Sequence, residues 1–168
     1  MEKKLIYLDT NLLIGAIKEM LEKKDVTNVG VVKFLSENSN IESFISTLSV
    51  AEIVKVFRHD NEFKKYKLNF KRIISLIESL QNMMRFKLIS NMKLTDEKGL
   101  PIGDSPNGIV ITKDIIRYAD IHHEHIDCMH VDLAKTNELT FVTQEDRLGK
   151  LKDEYENIMT FNKLSRNY

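Results

Sequence analysis

The chain has 168 residues, enough for one domain with a substantial core and too few for two. Hydrophobic residues make up 42% and charged residues 30%, which is ordinary for a soluble globular protein and argues against disorder. The formal charges cancel, so the whole molecule does not attract nucleic acid, and any such binding requires a local patch. The single cysteine, Cys128, excludes an internal disulfide and fits a reducing cytoplasm. No apolar run approaches the roughly 20 residues of a membrane span.

The first half of the chain alternates short apolar runs with segments of helical periodicity. Residues 5–8 are a short apolar run typical of a buried strand, and apolar residues then recur at helical spacing over 12–21. A second short helix is predicted over 29–36 and a second strand over 44–47. Ser49 and Glu52 form a Ser-x-x-Glu capping box that predicts the start of a further helix.

The second half continues the alternation after one long helix and one long loop. A helix is predicted over 69–84, with Phe70, Ile73, Ile74, Ile77 and Leu80 on its buried face. The segment 91–111 holds both prolines and is predicted to be a long loop or an insertion. Further helices are predicted from Thr112, from Asp127 and over 145–152, and further strands over 86–89, 139–143 and 158–161.

Strands that alternate with helices pair in parallel through right-handed crossovers. The sequence therefore predicts an α/β fold, a three-layer α/β/α sandwich around a central parallel sheet, in a single domain over residues 1–168. In such sheets the functional crevice lies beyond the C-terminal ends of the strands.

Acidic residues recur where a predicted strand or loop passes into a helix, namely Asp9, Glu52, Asp127 and the pair of Glu145 and Asp146. The topology predicts that they meet at one edge of the sheet. Carboxylates that converge repel one another, and a bound divalent cation relieves that repulsion. Mg²⁺ and Mn²⁺ prefer oxygen ligands of this kind. The pattern therefore predicts a metal-dependent hydrolase of phosphodiesters.

An alternative explanation assigns each acid to its own helix. Asp9 would be an N-cap, Glu52 the capping-box partner of Ser49, and the later acids would favour the positive ends of helix dipoles, each worth about 0.3–1 kcal/mol. This explanation accounts for less of the pattern, because caps need not fall at one end of the same sheet.

Four short motifs resemble, in order and in coarse spacing, those of PIN-domain nucleases over nearly the whole chain. They are Asp9-Thr10-Asn11, Ser49-Val50-Ala51-Glu52, Asp127-x-x-His130-x-x-x-Ala134 and Phe141-Val142-Thr143-x-Glu145-x-x-Leu148. The resemblance implies a PIN-like sheet of about five strands, an acidic pocket that holds Mg²⁺ or Mn²⁺, and ribonuclease activity on RNA. Many small members are the toxin of a toxin–antitoxin pair of the VapC type, which implies an antitoxin protein as partner and a homodimer.

The fourth motif departs from the family, which usually has Asp two residues after its Thr. Glu145 keeps that spacing, whereas Asp146 keeps the residue type. Because neighbouring side chains on a helix point about 100° apart, only one of the two is expected to face the metal, and we favour Glu145. We expect Asp9 and Asp127 to bind the metal most directly, with Glu52 and Glu145 acting through waters or orienting the attacking water. Thr10, Asn11 and Thr143 are candidates to hydrogen-bond a ligand or the scissile phosphate.

Two other features have competing explanations. His122, His123, His125, Cys128 and His130 lie within nine residues, but their spacing matches no known zinc set; His130 is expected to pack beside Asp127, and Cys128 in the core. Between residues 55 and 72, seven basic residues interleave with aromatic ones. They predict either a track for RNA, with Lys64 and Lys65 in contact with phosphates, or a solvated face over partly buried aromatics.

The leading interpretation is a cytoplasmic, metal-dependent endoribonuclease of PIN type without a membrane anchor. A catalytically inactive PIN-like module that binds RNA or a protein is the alternative, and the choice between toxin and RNA-processing enzyme stays open. A lid or a partner contact is the hypothesis for the segment 91–111.

Overall fold

A five-stranded parallel sheet forms the centre of the structure, a computed structural model that describes residues 3–22, 30–89, 125–144 and 155–167. The strand order is β3-β2-β1-β4-β5, and each neighbouring pair is parallel. The strands are β1 (Lys4–Leu8), β2 (Ile41–Ser46), β3 (Lys87–Ile89), β4 (Thr140–Thr143) and β5 (Ile158–Thr160). The predicted alternation of strands with helices is confirmed.

Helices cover both faces of this sheet. They are α1 (Thr10–Glu22), α2 (Gly30–Glu37), α3 (Thr47–His59), α4 (Phe70–Met84), α5 (His125–Thr136) and α6 (Phe161–Arg166), with a 3₁₀ turn at Lys64–Tyr66. Helices α1 to α4 pack on one another, whereas α5 packs on β4. Among the described helices, none is long and apolar enough to cross a membrane.

The core has two halves, one on each face of the sheet. Successive residues of a strand point to opposite faces, so Ile6 and Leu8 pack with the buried residues of α1 to α4, whereas Tyr7 packs with Cys128 and Val131 of α5. All five of these side chains are fully buried. The fold is therefore the predicted three-layer α/β/α sandwich, and Cys128 is the core residue that the sequence predicts.

The start of α3 corrects the predicted capping box. Ser46 is the N-cap, and its side chain accepts a hydrogen bond from the backbone N–H of Ser49. Ser46 is also the last residue of β2, where it pairs with Ile89 of β3. The helix therefore begins directly at the end of the strand, Ser49 lies inside its first turn, and the Ser49–Glu52 box is wrong.

Smaller differences have equally local causes. Thr160 caps α6 with its side chain, so the predicted last residue of the fifth strand, Phe161, begins a helix instead. Helix α5 begins at His125, two residues before Asp127. Phe70 was expected on the buried face of α4 but is 56% exposed. It is the first residue of the helix and directly follows the N-cap Asn69.

Several predictions fall outside the described residues. They are the long loop at 91–111, the helix from Thr112, the pair His122 and His123, and the helix over 145–152 with Glu145 and Asp146.

Candidate active site

The order of the strands reverses between β1 and β4, and the candidate site lies at that reversal. Chain connections lead from β1 outward to β2 and β3 on one side, and β4 and β5 lie on the other side. Ligand crevices of open α/β sheets form beyond the C-terminal strand ends at such a point. Asp9 directly follows β1, and Thr143 is the last residue of β4. The Thr143 hydroxyl donates to Asp9 Oδ2 across this gap over 2.6 Å.

Asp9 is a buried carboxylate in an acidic neighbourhood, with only 4% of the residue exposed. Burial is the largest effect on the pKa of Asp9 and raises it. The charge of His130 and the hydrogen bond from Thr143 lower the pKa, whereas the charges of Asp127 and Glu52 raise it further. The net direction is upward. Asp127 and Glu52 therefore both lie within electrostatic reach of Asp9, although the three acids come from three separate segments of the chain.

Glu52 projects from α3 into the same region. Its Oε2 accepts hydrogen bonds from Thr10 Oγ1 at 2.5 Å and from His130 Nε2 at 2.6 Å. Burial alone would raise the pKa of Glu52, but the hydrogen bond and charge of His130, together with the Thr10 bond, outweigh it and lower the pKa. Because Ser46 caps the helix, Glu52 lies in the second turn and does not serve the cap.

His130 is completely buried and connects Glu52 to the sheet. Its Nδ1 lies 2.6 Å from the hydroxyl oxygen of Tyr7, and that hydroxyl donates to Ser46 Oγ at 2.7 Å. Burial is the main reason that the pKa of Tyr7 is raised. The sequence placed His130 on the helix that carries Asp127, but it held no signal for the pairing with Tyr7, which is 123 positions away.

The polar residues predicted to contact a ligand or a phosphate are used inside the site. Thr10 donates to Glu52 and Thr143 donates to Asp9, so both hydroxyl groups orient carboxylates. Asn11 Nδ2 donates to Thr143 Oγ1 at 3.3 Å. Among the described residues, Asn11 Oδ1 is a buried oxygen without a hydrogen-bond partner. Such an orphaned acceptor indicates a place for a cation or a water.

The donor set at this edge suits a hard cation held partly through water. Asp9, half-buried Asp127 and Asn11 Oδ1 supply oxygen atoms, and Mg²⁺ typically takes one or two carboxylates while it keeps several waters. In the described part of the chain, no three His, Cys, Asp or Glu side chains are grouped closely enough to hold a metal ion. The described residues therefore do not form a closed cage, and only an ion that keeps several of its waters would be compatible with them.

The described residues of the histidine-rich segment do not form a zinc site. Cys128 is buried in the core, and burial together with the charge of Asp127 raises the pKa of its thiol to about 11. A protonated thiol is a poor zinc ligand. Both nitrogens of His130 already have protein partners.

Asp127 keeps its helix-dipole explanation as well. It lies in the first turn of α5, where a negative charge is favoured. That explanation and a role at the site are compatible, because the same carboxylate raises the pKa of Asp9.

Lys64 and Lys65 lie far from the acids of the candidate site. Lys65 Nζ is 3.4 Å from Glu22 Oε1 and Lys64 donates to Asn61 Oδ1 at 2.9 Å. Glu22 ends the 13-residue helix α1 that Thr10 begins, which separates the two places by about 18 Å along the helix at 1.5 Å per residue. Of the interleaved aromatic residues, Phe63 is buried, with its ring centroid 4.7 Å from that of Phe57.

Comparisons with known proteins give a likeness in structure alone. No protein-family model matches the chain, and no curated protein matches it in sequence. Among solved structures, it is similar to a chain in the crystal structure of VapBC2 from Rickettsia felis bound to a DNA fragment from their promoter. The two are 14% identical with a TM-score of 0.48, over 93% of this chain and 97% of that chain. A likeness at this level carries no information about activity or partners.

Proposed function

We propose that the protein is a metal-dependent endoribonuclease that hydrolyses phosphodiester bonds of single-stranded or structured RNA with Mg²⁺ or Mn²⁺. The observation that supports this most is the buried Asp9 at the strand-order reversal, whose pKa is raised by burial and by the charges of Asp127 and Glu52. Burying carboxylates near one another costs free energy, and a divalent cation offsets that cost. Hydrolysis of phosphodiesters is chemistry that such a cation promotes.

The residues have distinct roles in this proposal. Asp9 and Asp127 hold the ion most directly, with Asn11 Oδ1 as a further oxygen. Glu52 would act through waters. Glu145, or alternatively Asp146, would do the same; both lie outside the described residues. When bound, the ion lowers the pKa of a bound water and neutralises charge on the phosphate.

The protein's own side chains orient these acids. Thr143 donates to Asp9 Oδ2, and Thr10 donates to Glu52 Oε2. The second oxygen of each carboxylate would be the one to hold the ion or one of its waters. The two threonines thus act on the carboxylates and Asn11 donates to Thr143, and the ion, when bound, would supply the contact to the RNA phosphate.

The decisive experiment compares cleavage of single-stranded and structured RNA by the purified protein in Mg²⁺, in Mn²⁺ and in EDTA. The proposal expects cleavage in either metal, none in EDTA, and restoration when the metal is returned. Binding of RNA without cleavage in any metal would indicate instead a catalytically inactive PIN-like module.

The proposal extends to partners. A PIN-type toxin would act in the cytoplasm as a homodimer and would bind an antitoxin protein encoded by a small neighbouring gene. Co-expression with such a gene tests this: a toxin arrests growth alone and is silenced in a stable complex. An RNA-processing enzyme shows neither effect.

A further inference from the structure

Glu52 is the acid of the site whose orientation is defined most completely. Oε2 of its carboxylate accepts two short hydrogen bonds, from Thr10 and from His130. A carboxylate oxygen has about two acceptor positions, so Oε2 is saturated. Oε1 is then the oxygen of Glu52 that would remain for a water, an ion or a substrate.

The imidazole of His130 is itself held at both nitrogens. An ionised carboxylate only accepts hydrogen bonds, so Nε2 carries a proton in its 2.6 Å contact with Glu52. On the opposite side of the ring, Nδ1 lies 2.6 Å from the Tyr7 hydroxyl oxygen. With both ends bonded and the side chain fully buried, the ring cannot rotate without breaking a buried hydrogen bond.

Tyr7 connects this ring to the start of α3. Its hydroxyl donates to Ser46 Oγ, and Ser46 is the N-cap of the helix from which Glu52 projects. Ser49 of the first turn lies 3.4 Å from the same hydroxyl. Strand β1, the start of α3 and helix α5 are therefore joined at one hydroxyl group.

We propose that His130 is a positioning residue that fixes the carboxylate of Glu52, with Tyr7 holding the imidazole in place. It acts through Glu52 and touches neither metal nor RNA. Partners of this kind, which hydrogen-bond a group that acts at a metal, typically change metal affinity or activity by about 10–100-fold when they are removed. The consequence for metal binding rests on the proposed function, whereas the fixing of Glu52 does not.

Two conservative substitutions separate the two ring nitrogens. The amide nitrogen of Gln reaches the place of Nε2, so His130→Gln retains a donor to Glu52. The amide of Asn reaches the place of Nδ1, so His130→Asn retains a partner for Tyr7 and loses the donor to Glu52. His59→Asn, an exposed histidine in the last turn of α3, is the matched control.

The first readout is Mn²⁺ affinity, measured by calorimetry on each folded variant. We expect His130→Asn to weaken Mn²⁺ binding by about tenfold or more. His130→Gln should keep most of the affinity, and His59→Asn should keep all of it. Wild-type affinity in both His130 variants would overturn the proposal. If His130→Asn does not fold, Tyr7→Phe serves instead and should also weaken Mn²⁺ binding.

The second readout is independent of metal and activity. Melting temperatures are measured in EDTA for Glu52→Gln, for His130→Asn, which loses the donor to Glu52, and for the double variant, because a direct bond makes the two effects non-additive. Non-additive shifts support the fixing of Glu52 even if the wild-type protein neither binds Mn²⁺ nor cleaves RNA, which would defeat only the proposed function. Additive shifts overturn the positioning of Glu52 by His130, whatever the activity.

Discussion

The two ends of helix α1 carry small networks built from the same kinds of groups. At its N-terminal end, the carboxylate of Glu52 meets His130, which meets the hydroxyl of Tyr7. At its C-terminal end, the carboxylate of Glu22 accepts from Tyr66 and pairs with Lys65. Each network joins one tyrosine, one glutamate and one basic side chain, from three elements at the N-terminal end and from α1 and the 3₁₀ turn at the C-terminal end.

Burial is what separates them. Tyr7 and His130 are completely buried, whereas the side chains of Lys65 and Glu22 are 56% and 44% exposed. An exposed ion pair contributes about 0–1 kcal/mol, because water competes for both charges. A buried polar group that loses its partner costs about 1–3 kcal/mol, because no water replaces it. Similar contacts therefore form part of a buried candidate site at one end of the helix, whereas at the other end they are surface contacts that contribute little to stability.

The largest effect is expected from Asp9→Asn. Under the proposed function this change removes a charge that would hold the cation, and if that charge contributes about 4 kcal/mol to the transition state, cleavage falls about a thousandfold. Melting should stay near or above the wild-type temperature, because the substitution relieves repulsion from Asp127 and Glu52 while Asn still accepts from Thr143. Cleavage of single-stranded RNA in Mn²⁺ and thermal unfolding in EDTA are the measurements.

Asp60→Asn is the matched control for that substitution. Asp60 is an exposed acid that follows the far end of α3, and an amide oxygen can keep its bond from the Glu62 N–H. It should change neither cleavage nor melting. Retained cleavage in Asp9→Asn would show that the acid is a structural residue and would end the proposed function.

The comparison between Tyr7→Phe and Tyr66→Phe tests burial directly. Loss of the Tyr7 hydroxyl leaves His130 Nδ1 without its buried partner and removes the donor to Ser46 Oγ, which still accepts from the Ser49 N–H, so we expect a loss of about 1–3 kcal/mol in the free energy of unfolding. Loss of the Tyr66 hydroxyl frees Glu22 to water, with an expected change within about 0.5 kcal/mol. Urea denaturation of both variants checks the pair, and equal losses would mean that burial does not separate the two networks.

The sequence predicted the architecture well, because the pattern that defines it is local. Apolar runs of strand length alternate with helical periodicities, and right-handed parallel crossovers then restrict the topology. The places of Asp9 and Thr143 at strand ends follow from the same reasoning. The local pattern does not specify the residue at which a strand ends and the next helix begins. Ser46 and Ser49 are equally good caps in sequence, and pairing of Ser46 with Ile89 decides between them.

The internal partners of the site lay beyond sequence reasoning. The pairs Thr143 with Asp9 and Tyr7 with His130 depend on the order β2-β1-β4 and on the placement of α5 against the sheet. No residue spacing encodes those facts. The exposure of Phe70 has a related explanation, since its spacing fits the helix period but the core does not extend to the first residue of α4.

The pH dependence of stability should have opposite signs for the two acids of the site. Burial raises the pKa of Asp9 above its ordinary value of 3.8, so the folded state binds the extra proton and stability falls as pH rises through that window. The pKa of Glu52 lies below its ordinary value of 4.5, so its contribution is present above pH 4.5 and is lost as the pH falls through the folded value.

Unfolding in EDTA between about pH 3 and pH 7 resolves these signs when each variant is compared with the wild type. The advantage of Asp9→Asn should grow as pH rises from about 3.8 and then level off. The disadvantage of Glu52→Gln should shrink as pH falls below about 4.5. Curves that run parallel to the wild type in both variants would contradict the burial of Asp9 and the hydrogen bonds of Glu52.

The smallest effect is expected at the exposed end of α1. If these side chains neutralise phosphates, charge reversal of Lys64 and Lys65 should weaken RNA binding. The slope of log affinity against log salt concentration should also become shallower, by up to about 0.7 for each phosphate that is no longer neutralised. Mn²⁺ affinity should not change, because about 18 Å of helix exceeds the Debye length of about 8 Å at physiological salt. Lys33→Glu on α2, an exposed lysine outside the basic segment, matches the change in net charge of each single reversal, Lys64→Glu or Lys65→Glu. A salt slope equal to that of the wild type would assign the two lysines to the solvated face, because RNA that binds to them must release counterions.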